Sequence, residues 1–279
     1  MQHREGQFGG AKGASIYFQY WQPESLPRAV IVLVHGAGEH SARYQHFAEF
    51  FTGQGFAVAA MDHPGHGRSE GTGGYIDSFS EYTETLHIFQ QQVSAEFSGM
   101  PKVLLGHSMG GLISVNYLLE NQQAFSACVL SGPAIKSDLE PGFLQMLIIR
   151  LLSSLLPKIG ALQLDASGVS RDLAVVADYQ ADPLVYHGKL SARLIFELFL
   201  TMDTVQAQAA AITLPMLLLH GEKDNMASPS GSRFLHEHIS SEKNRLEIYP
   251  GLYHEIFNEP EKEQVFGDIL DWLTQEVGL

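Results

Sequence analysis

Residues 103–120 read VLLGHSMGGLISVNYLLE, and this stretch decides the fold class. The apolar run at 103–105 is typical of a short strand, and residues 112–120 have the apolar spacing of a helix. Between them lie residues 106–110, with the spacing Gly-x-Ser-x-Gly. A chain that turns sharply from a strand into a helix strains the backbone of its serine, presents Oγ at the sheet edge, and requires small residues two positions away. The stretch therefore predicts a strand-turn-helix unit with Ser108 as a candidate nucleophile.

The alternation of strand and helix patterns continues in both directions from this unit. Several further predicted strands have apolar residues on both faces, as in a parallel sheet covered by helices on both sides. Apolar residues three and four positions apart predict helices at 82–97 and 265–273. The further strand runs are 16–21, 29–34, 57–61, 127–131, 216–220 and 246–249. The sequence thus predicts an α/β fold with a mostly parallel central sheet flanked by helices.

The alternation breaks in the middle of the chain. About eighty residues separate two strand patterns there, far more than a simple loop of an α/β unit needs. We expect residues 1–132 and 209–279 to form the core and residues 133–208 to form an inserted, largely helical cap.

One helix of this cap has more apolar residues than a single buried stripe requires. Residues 143–156 read FLQMLIIRLLSSLL, which is too short to span a membrane and contains Arg150. The surplus apolar face could line an acyl tunnel, contact a membrane or micelle, form a dimer contact, or pack within the cap.

A serine hydroxyl becomes a nucleophile when a base removes its proton and an acid orients that base. A predicted strand runs directly into residues 221–224, GEKD, which places an acid beyond the carboxyl end of a strand. Asp224 is the favoured acid. Glu222 is the alternative, and it is less favoured because it lies closer to the strand end and suits a loop hydrogen bond. A later turn delivers His254, the candidate base, to the same edge. The order Ser108, Asp224, His254 is the one expected for this type of nucleophile turn.

Ester hydrolysis also needs donors for the oxyanion that develops on the attacked carbonyl, and losing one donor costs about 3 to 4 kcal/mol. The amide of Met109 lies at the start of the predicted helix, and residues 35–38, HGAG, follow a strand as an oxyanion loop does. We expect the backbone amides of Ala37 and Met109 to be the two donors. The alternative is an ordinary glycine-rich turn, since the spacing matches neither a P-loop nor a dinucleotide fingerprint.

Composition limits the partners and cofactors. Seventeen Lys and Arg against 31 Asp and Glu give a formal net charge of −14, which repels phosphate backbones and disfavours nucleic acid as a partner. The single cysteine, Cys128, cannot form an internal disulfide, and residues 1–10 show no signal pattern, which favours a cytoplasmic location. Among the 13 histidines no pair has the spacing of a zinc motif, so no metal is expected. The oligomeric state stays open.

Together these motifs resemble the α/β-hydrolase superfamily, and within it the monoacylglycerol lipase and lysophospholipase group, which is sometimes grouped with serine aminopeptidases. The matching segments occur in family order and span nearly the whole chain. They are 35–44 (HGAGEHSARY), 62–71 (DHPGHGRSEG), 106–111 (GHSMGG), 179–184 (YQADPL), 221–224 (GEKD) and 253–254 (YH).

The resemblance implies hydrolysis of a monoacylglycerol ester through an acyl-serine intermediate, without a cofactor. In the family the glycerol head lies against polar groups that match Glu39, Arg43 and Tyr179. The alternative is that Glu39 and Arg43 stabilise a helix start and that Tyr179 is a core aromatic which tethers the cap. The histidines of residues 62–69 match a structural loop beside the site, so no catalytic role is expected for them.

The sequence departs from the animal members of the group at two points. These have a second histidine three residues after the catalytic one, where Phe257 stands here, and they have cysteines near the pocket, whereas Cys128 lies on a predicted strand. The resemblance therefore supports the hydrolytic chemistry more strongly than it supports recognition of the glycerol head.

Several other functions remain open on the sequence. A lysophospholipase or a general carboxylesterase would use the same chemistry, and a serine aminopeptidase would need acidic cap residues to hold an amino terminus. A noncatalytic ligand-binding protein of this fold is a further alternative, although it has no need of a complete Ser, Asp and His set. The candidate acids are Asp138, Glu140, Asp165 and Asp178.

Overall fold

The computed structural model describes residues 1–137 and 142–279 of the chain. Ten strands are present in this part, and eight of them form one central sheet. They are β1 Gln2–Gly9, β2 Ser15–Gln22, β3 Ala29–Val34, β4 Phe56–Met61, β5 Lys102–His107, β6 Ala127–Ser131, β7 Gly160–Leu162, β8 Leu190–Ser191, β9 Met216–Gly221 and β10 Asn244–Tyr249. The central sheet has the order β1-β2-β4-β3-β5-β6-β9-β10, and β7 pairs with β8 in a separate small sheet.

The central sheet is mostly parallel, as the sequence predicts. Neighbouring strands from β4 to β10 run parallel, whereas β2 is antiparallel to β4 and β1 is antiparallel to β2. Every strand expected from an apolar run is present. The sequence does not predict β1, because this edge strand is largely exposed and has no apolar run. Its register depends on pairing with β2, from Gln2 opposite Gln22 to Gly9 opposite Ser15.

Helices cover both faces of the sheet. Helices α1 and α8 pack on one face, and α2, α3, α6 and α7 contribute to the core on the other. The α-helices in the described ranges are α1 Gln45–Gly53, α2 Ser80–Glu96, α3 Met109–Asn121, α4 Phe143–Leu155, α5 Leu173–Ala181, α6 Ala192–Gln208, α7 Pro229–His238 and α8 Lys262–Trp272. The predicted helices at 82–97 and 265–273 are confirmed as α2 and α8.

Strand β3 shows why the central strands are apolar throughout. Val30, Val32 and Val34 pack into the core beneath α2 and α3, whereas Ile31 and Leu33 pack into the core beneath α1 and α8. Side chains alternate between the faces of a strand, so a strand covered on both sides must be apolar at every position.

The segment between β6 and β9 contains α4, α5, α6 and the small β7-β8 sheet, which agrees with the expectation of a largely helical insertion. Two contacts attach it to the loop after β3. The imidazole Nε2 of His40 lies 2.9 Å from Asp182 Oδ2, and the backbone N–H of Tyr186 donates to the Gly38 carbonyl at 2.7 Å. The insertion is therefore held against the carboxyl end of the sheet.

Helix α4 exposes much of its apolar surface. Leu144 and Leu155 are 72% and 70% exposed, and Leu147, Ile148 and Leu151 are also exposed. The helix ends at Leu155, one residue earlier than its apolar pattern suggests. No helix within residues 1–137 and 142–279 is long and apolar enough to cross a bilayer.

Candidate active site

Ser108 occupies the predicted turn between β5 and α3. Its backbone has φ 55° and ψ −121°, a left-handed conformation that few residues other than glycine adopt. A Cβ atom at Gly110 would lie 2.1 Å from the Val34 carbonyl oxygen, and one at Gly106 would lie 2.6 Å from the Gly110 carbonyl oxygen. Both positions therefore need glycine, and the expected strand-turn-helix unit is confirmed.

Asp224 and His254 meet beyond the ends of β9 and β10. The Nδ1 atom of His254 lies 2.6 Å from Asp224 Oδ2, while Asp224 Oδ1 accepts hydrogen bonds from the amides of Met226 at 2.8 Å and Ala227 at 2.9 Å. Because a carboxylate only accepts, Nδ1 of His254 is the protonated nitrogen. Nε2 is then free to take a proton, which is the tautomer that a general base requires.

The pKa values of this pair move apart. Burial alone would raise the pKa of Asp224, but the charges and hydrogen bonds of His254 and His220 hold it well below its ordinary value. Burial alone would lower the pKa of His254, but the charge and hydrogen bond of Asp224 raise it above its ordinary value. Asp224 therefore stays ionised, and its charge favours a protonated imidazole at His254.

His220 is a second partner of Asp224 that sequence reasoning missed. Its Nε2 atom lies 3.1 Å from Asp224 Oδ2 and 3.0 Å from the Ala227 carbonyl, and its Nδ1 atom lies 2.7 Å from Ser232 Oγ. Both groups near Nε2 are acceptors, so Nε2 carries the proton and donates it. A histidine that ends an otherwise apolar strand directly before an acidic loop was the available signal. His220 thus contacts Oδ2 of the carboxylate, whereas the two backbone amides donate to Oδ1.

Ser108 and His254 line one small cavity of about 50 Å³. Ala37, Glu39 and Tyr179 contribute to the same cavity. The three candidate triad residues are therefore brought together, although Ser108 and Asp224 are 116 positions apart in the chain.

A larger cavity of about 700 Å³ begins at Ser108 and is mostly apolar. Ala37 and Met109 also line it, at the end where the serine lies. Its walls come from α4, α6 and the segment before α5, and they include Ile148, Leu164, Ile195, Leu198, Phe199 and Met202. The volume and lining suit an extended apolar chain.

The two predicted oxyanion donors flank the nucleophile. In the described part of the chain, no acceptor is paired with the amide of Ala37 or of Met109. Met109 is the first residue of α3, where amides lack partners within the helix and the helix dipole favours negative charge. The arrangement can therefore accept an oxyanion that forms beside Ser108 Oγ.

Glu39 and Arg43 belong to a buried network of charges that includes Glu255. Arg43 donates to Glu39 Oε2 at 3.0 Å and makes a two-point contact with Glu255 at 2.6 and 2.8 Å. Glu39 Oε1 accepts from the Gly36 amide at 2.6 Å and from the Tyr44 hydroxyl at 2.7 Å. The network thus fixes the loop that carries Ala37, which matches the alternative of a structural pair. Glu39 also lines the small cavity, whereas Arg43 is not among the residues that line either cavity.

The two buried carboxyl groups that share Arg43, those of Glu39 and Glu255, have pKa values shifted in opposite directions. Burial raises the pKa of Glu39, and Arg43 offsets this only in part. Burial would also raise the pKa of Glu255, but the two-point contact with Arg43 lowers it below its ordinary value. Sequence reasoning missed Glu255, although it directly follows His254.

Tyr179 is buried and lines the small cavity. Its ring lies beneath the Arg43 guanidinium, whose carbon is 4.7 Å from the ring centroid. Burial raises the pKa of Tyr179 to about 12, so its hydroxyl stays protonated and available as a donor. Both expected roles, packing and contact with a polar head, are compatible with this position.

The other motif histidines hold loops, as expected for His63 and His66. His63 donates its backbone N–H to His35 Nε2 at 3.0 Å, and His66 Nδ1 lies 3.0 Å from the Pro64 carbonyl. His107 Nδ1 lies 3.0 Å from the Ser131 carbonyl. Burial, with the charge of a neighbouring histidine, lowers the pKa of His107 to about 3.

Three further expectations concern acids and metals. Glu222 accepts from the Gly251 amide at 3.0 Å and so acts as a loop acceptor. Asp138 and Glu140 lie outside the described residues, and neither Asp165 nor Asp178 lines a cavity that contains Ser108. In residues 1–137 and 142–279, no group of three or more His, Cys, Asp or Glu side chains is arranged to hold a metal ion.

A family model described as serine aminopeptidase, S33, matches residues 25–261. The chain belongs to this family. A monoacylglycerol lipase of Mycolicibacterium smegmatis is 40% identical to it over 273 residues, which cover 98% of this chain and 98% of that protein. Human monoglyceride lipase is 33% identical over 268 residues, covering 95% of this chain and 88% of that protein.

Solved structures agree with the family assignment. The crystal structure of Paleococcus ferrophilus monoacylglycerol lipase matches with a TM-score of 0.81 and 32% identity, and covers 98% of both chains. The predicted resemblance and the α/β-hydrolase fold are confirmed by these matches.

Proposed function

We propose that this protein is a serine hydrolase that cleaves monoacylglycerols to a free fatty acid and glycerol. Ser108 attacks the ester carbonyl after His254 takes its proton, and the amides of Ala37 and Met109 hold the oxyanion. His254 then protonates the leaving glycerol, and Asp224 orients the imidazole throughout. Water, activated by the same histidine, releases the fatty acid from the acyl-serine.

One observation carries this proposal. The cavity that contains Ser108 and His254 adjoins a mostly apolar cavity of about 700 Å³, and Ser108 lines both. An acyl chain in the larger cavity places its carbonyl beside the serine. Each methylene buried there contributes roughly 0.8 kcal/mol, so kcat/KM should increase with chain length until the cavity is filled.

The polar head of the substrate fits the other side of Ser108. We propose that Glu39 and Tyr179 face the glycerol hydroxyls and that Arg43 contributes by fixing Glu39. Their placement in and beside the small cavity supports this role.

We propose further that residues 133–208 act as a cap over the site, since α4 and α6 supply walls of the apolar cavity. The exposed apolar face of α4 would contact a membrane or micelle transiently while substrate enters. A net charge of −14 gives no attraction to anionic lipid, so this contact would be hydrophobic. The single, buried thiol of Cys128 needs no oxidising compartment, and we propose the cytoplasm as the place of action.

A substrate panel tests the proposed function. Purified protein should hydrolyse monoacylglycerols faster than diacylglycerols, lysophosphatidylcholine, short nitrophenyl esters or aminoacyl anilides. A preference for lysophosphatidylcholine or for nitrophenyl esters would replace the proposal by a lysophospholipase or a general carboxylesterase. A preference for the anilides would identify an aminopeptidase instead. Binding of these compounds without turnover would identify a ligand-binding protein.

A further inference from the structure

Three cavities meet at the side chain of Met226. Two are the apolar cavity and the small cavity with Ser108 and His254. The third, here named the polar cavity, has a volume of about 460 Å³ and a mixed polar and apolar lining that includes Met226. Of the described residues that line these three cavities, Met226 alone is shared by all of them.

The third cavity is built to hold polar groups. Ser167, Ser170, Arg171, Asn225 and Tyr253 supply hydroxyl, guanidinium, amide and phenol groups to its lining. The charge of Arg171 is balanced by Glu259, 3.0 Å from its Nε atom, and by a second contact with Glu261. Asp165 also lines the cavity, which therefore offers many hydrogen-bonding partners and has an excess of negative charge.

Met226 is fixed at its backbone and adaptable at its side chain. Its amide donates to Asp224 Oδ1 at 2.8 Å, while its side chain packs against the cap residues Val169 and Tyr179. A Cβ atom at Gly168 would lie 3.2 Å from Met226 Cγ, so the cap leaves little room beside the thioether. The side chain thus fills the space between the small cavity and the polar cavity.

The small cavity limits the alcohol part of a substrate. A volume of about 50 Å³ holds only a few water-sized groups, which is the scale of a small polyol. A larger polar headgroup would have to continue beyond this cavity, and the polar cavity past Met226 is a space of suitable chemistry. An apolar side chain in that path blocks the headgroup and offers it no hydrogen bonds.

We propose that Met226 is a specificity-determining residue that separates the ester site from the polar cavity and so excludes esters with large polar headgroups, such as lysophospholipids. The proposal rests on the proposed ester hydrolase function. Shortening the side chain would join the polar cavity to the ester site and admit such substrates.

The test compares kcat/KM for a monoacylglycerol and for lysophosphatidylcholine with the same acyl chain. Met226→Ala should raise the ratio of lysophosphatidylcholine to monoacylglycerol turnover by about tenfold or more. Met226→Leu keeps the volume and should leave the ratio within about twofold of wild type. Met202→Ala removes the same atoms from the wall of the apolar cavity, at a residue that does not line the polar cavity, and should also leave the ratio unchanged.

A second variant moves the ratio in the opposite direction. Gly168→Ala adds a methyl group against Met226 at a position without a left-handed φ, so it should lower the same ratio. If Met226→Ala does not fold, the Gly168→Ala ratio decides: a lower ratio supports the role of Met226, and an unchanged ratio contradicts it.

Two results overturn the proposal about Met226. One is an unchanged ratio in a Met226→Ala enzyme that still hydrolyses monoacylglycerol, and the other is an equal rise in Met202→Ala. A wild-type protein that hydrolyses neither ester would instead refute the ester hydrolase function, and the Met226 proposal would fall with it.

Discussion

The two ends of the apolar cavity are built in different ways. At one end Ser108 lies on a strained turn, and the candidate base and acid lie on loops after β9 and β10, where His254 Nδ1 is paired with Asp224 Oδ2. At the other end α4 carries leucine and isoleucine side chains, several of them exposed, and contributes few polar contacts. Bond cleavage needs atoms placed to within a fraction of an ångström, whereas binding a flexible acyl chain needs only apolar surface of sufficient extent. Small changes at the catalytic end should therefore have large effects, whereas changes at the α4 end should have small ones.

Removing the nucleophile or the base should have the largest effect. Ser108→Ala or His254→Ala should lower kcat for monoacylglycerol by on the order of 10⁶-fold, because either change removes covalent catalysis. Labelling by a fluorophosphonate probe should disappear in Ser108→Ala and be suppressed in His254→Ala.

The controls for these variants are Ser94→Ala on α2 and His238→Ala on the exposed face of α7, which should keep wild-type labelling. A probe adduct located by mass spectrometry on another residue would overturn the assignment of Ser108.

Removing the charge of the acid should have the next largest effect. Asp224→Asn keeps the shape but favours the wrong imidazole tautomer, and should lower kcat by about 10⁴-fold. The exposed Asp271→Asn serves as the matched control. Turnover of Asp224→Asn within tenfold of wild type would show that another group orients His254.

The buried charges behind the oxyanion loop should control stability. Glu255→Gln leaves Arg43 with one carboxylate fewer in a buried site and should lower the free energy of unfolding by about 3 to 5 kcal/mol. Glu247→Gln, at a surface ion pair with Arg245, should cost less than about 1 kcal/mol. Urea unfolding measures both, and equal losses would mean that the Arg43 network is not what holds this loop.

Substitutions on the exposed apolar face of α4 should affect membrane binding and leave ester hydrolysis intact. Exchange of both Leu147 and Leu151 for serine should weaken binding to phosphatidylcholine vesicles by about tenfold, with hydrolysis of short nitrophenyl esters retained. The binding should be insensitive to salt, because it is hydrophobic. Leu26→Ser, at another exposed leucine, is the control, and equal loss in that variant would remove α4 as the contact.

The smallest effect is a displacement of the pH profile. Asp224 raises the pKa of His254 above its ordinary value of 6.5, and the base must be neutral to act, so kcat/KM should rise with pH through this raised pKa. In Asp224→Asn the imidazole pKa, followed by NMR, should fall, because the charge of Asp224, the main opponent of the effect of burial, is lost. An unchanged imidazole pKa would contradict the assigned pair.

Stability follows the same pair with a definite sign. The raised pKa of His254 contributes stability that is complete below its unfolded pKa and is lost as pH rises through the folded value. The lowered pKa of Asp224 contributes stability above its unfolded pKa, which is lost as pH falls through the folded value. The pair should therefore stabilise the fold most between the unfolded pKa of Asp224 and the unfolded pKa of His254.

Sequence reasoning predicted those features that local geometry fixes. The glycines around Ser108 are required by contacts with β3 and the same turn, so the motif carries its own structure. Asp224 and His254 follow strands whose carboxyl ends share one edge, so the topology predicted their meeting. The edge strand β1 was missed because it is exposed and has no apolar run. His220 was missed because its contact with Asp224 forms only in the folded loop.

The sequence by itself determined the fold, the order of the three candidate catalytic residues and the two backbone amides beside the nucleophile. Only the tertiary structure decided that Glu255 shares Arg43 with Glu39, that His220 supports Asp224, and that three cavities meet at Met226. The physical reason is range. A turn or a strand depends on its own few residues, whereas a shared guanidinium or a dividing side chain depends on segments that become neighbours only when the sheet and the insertion pack together.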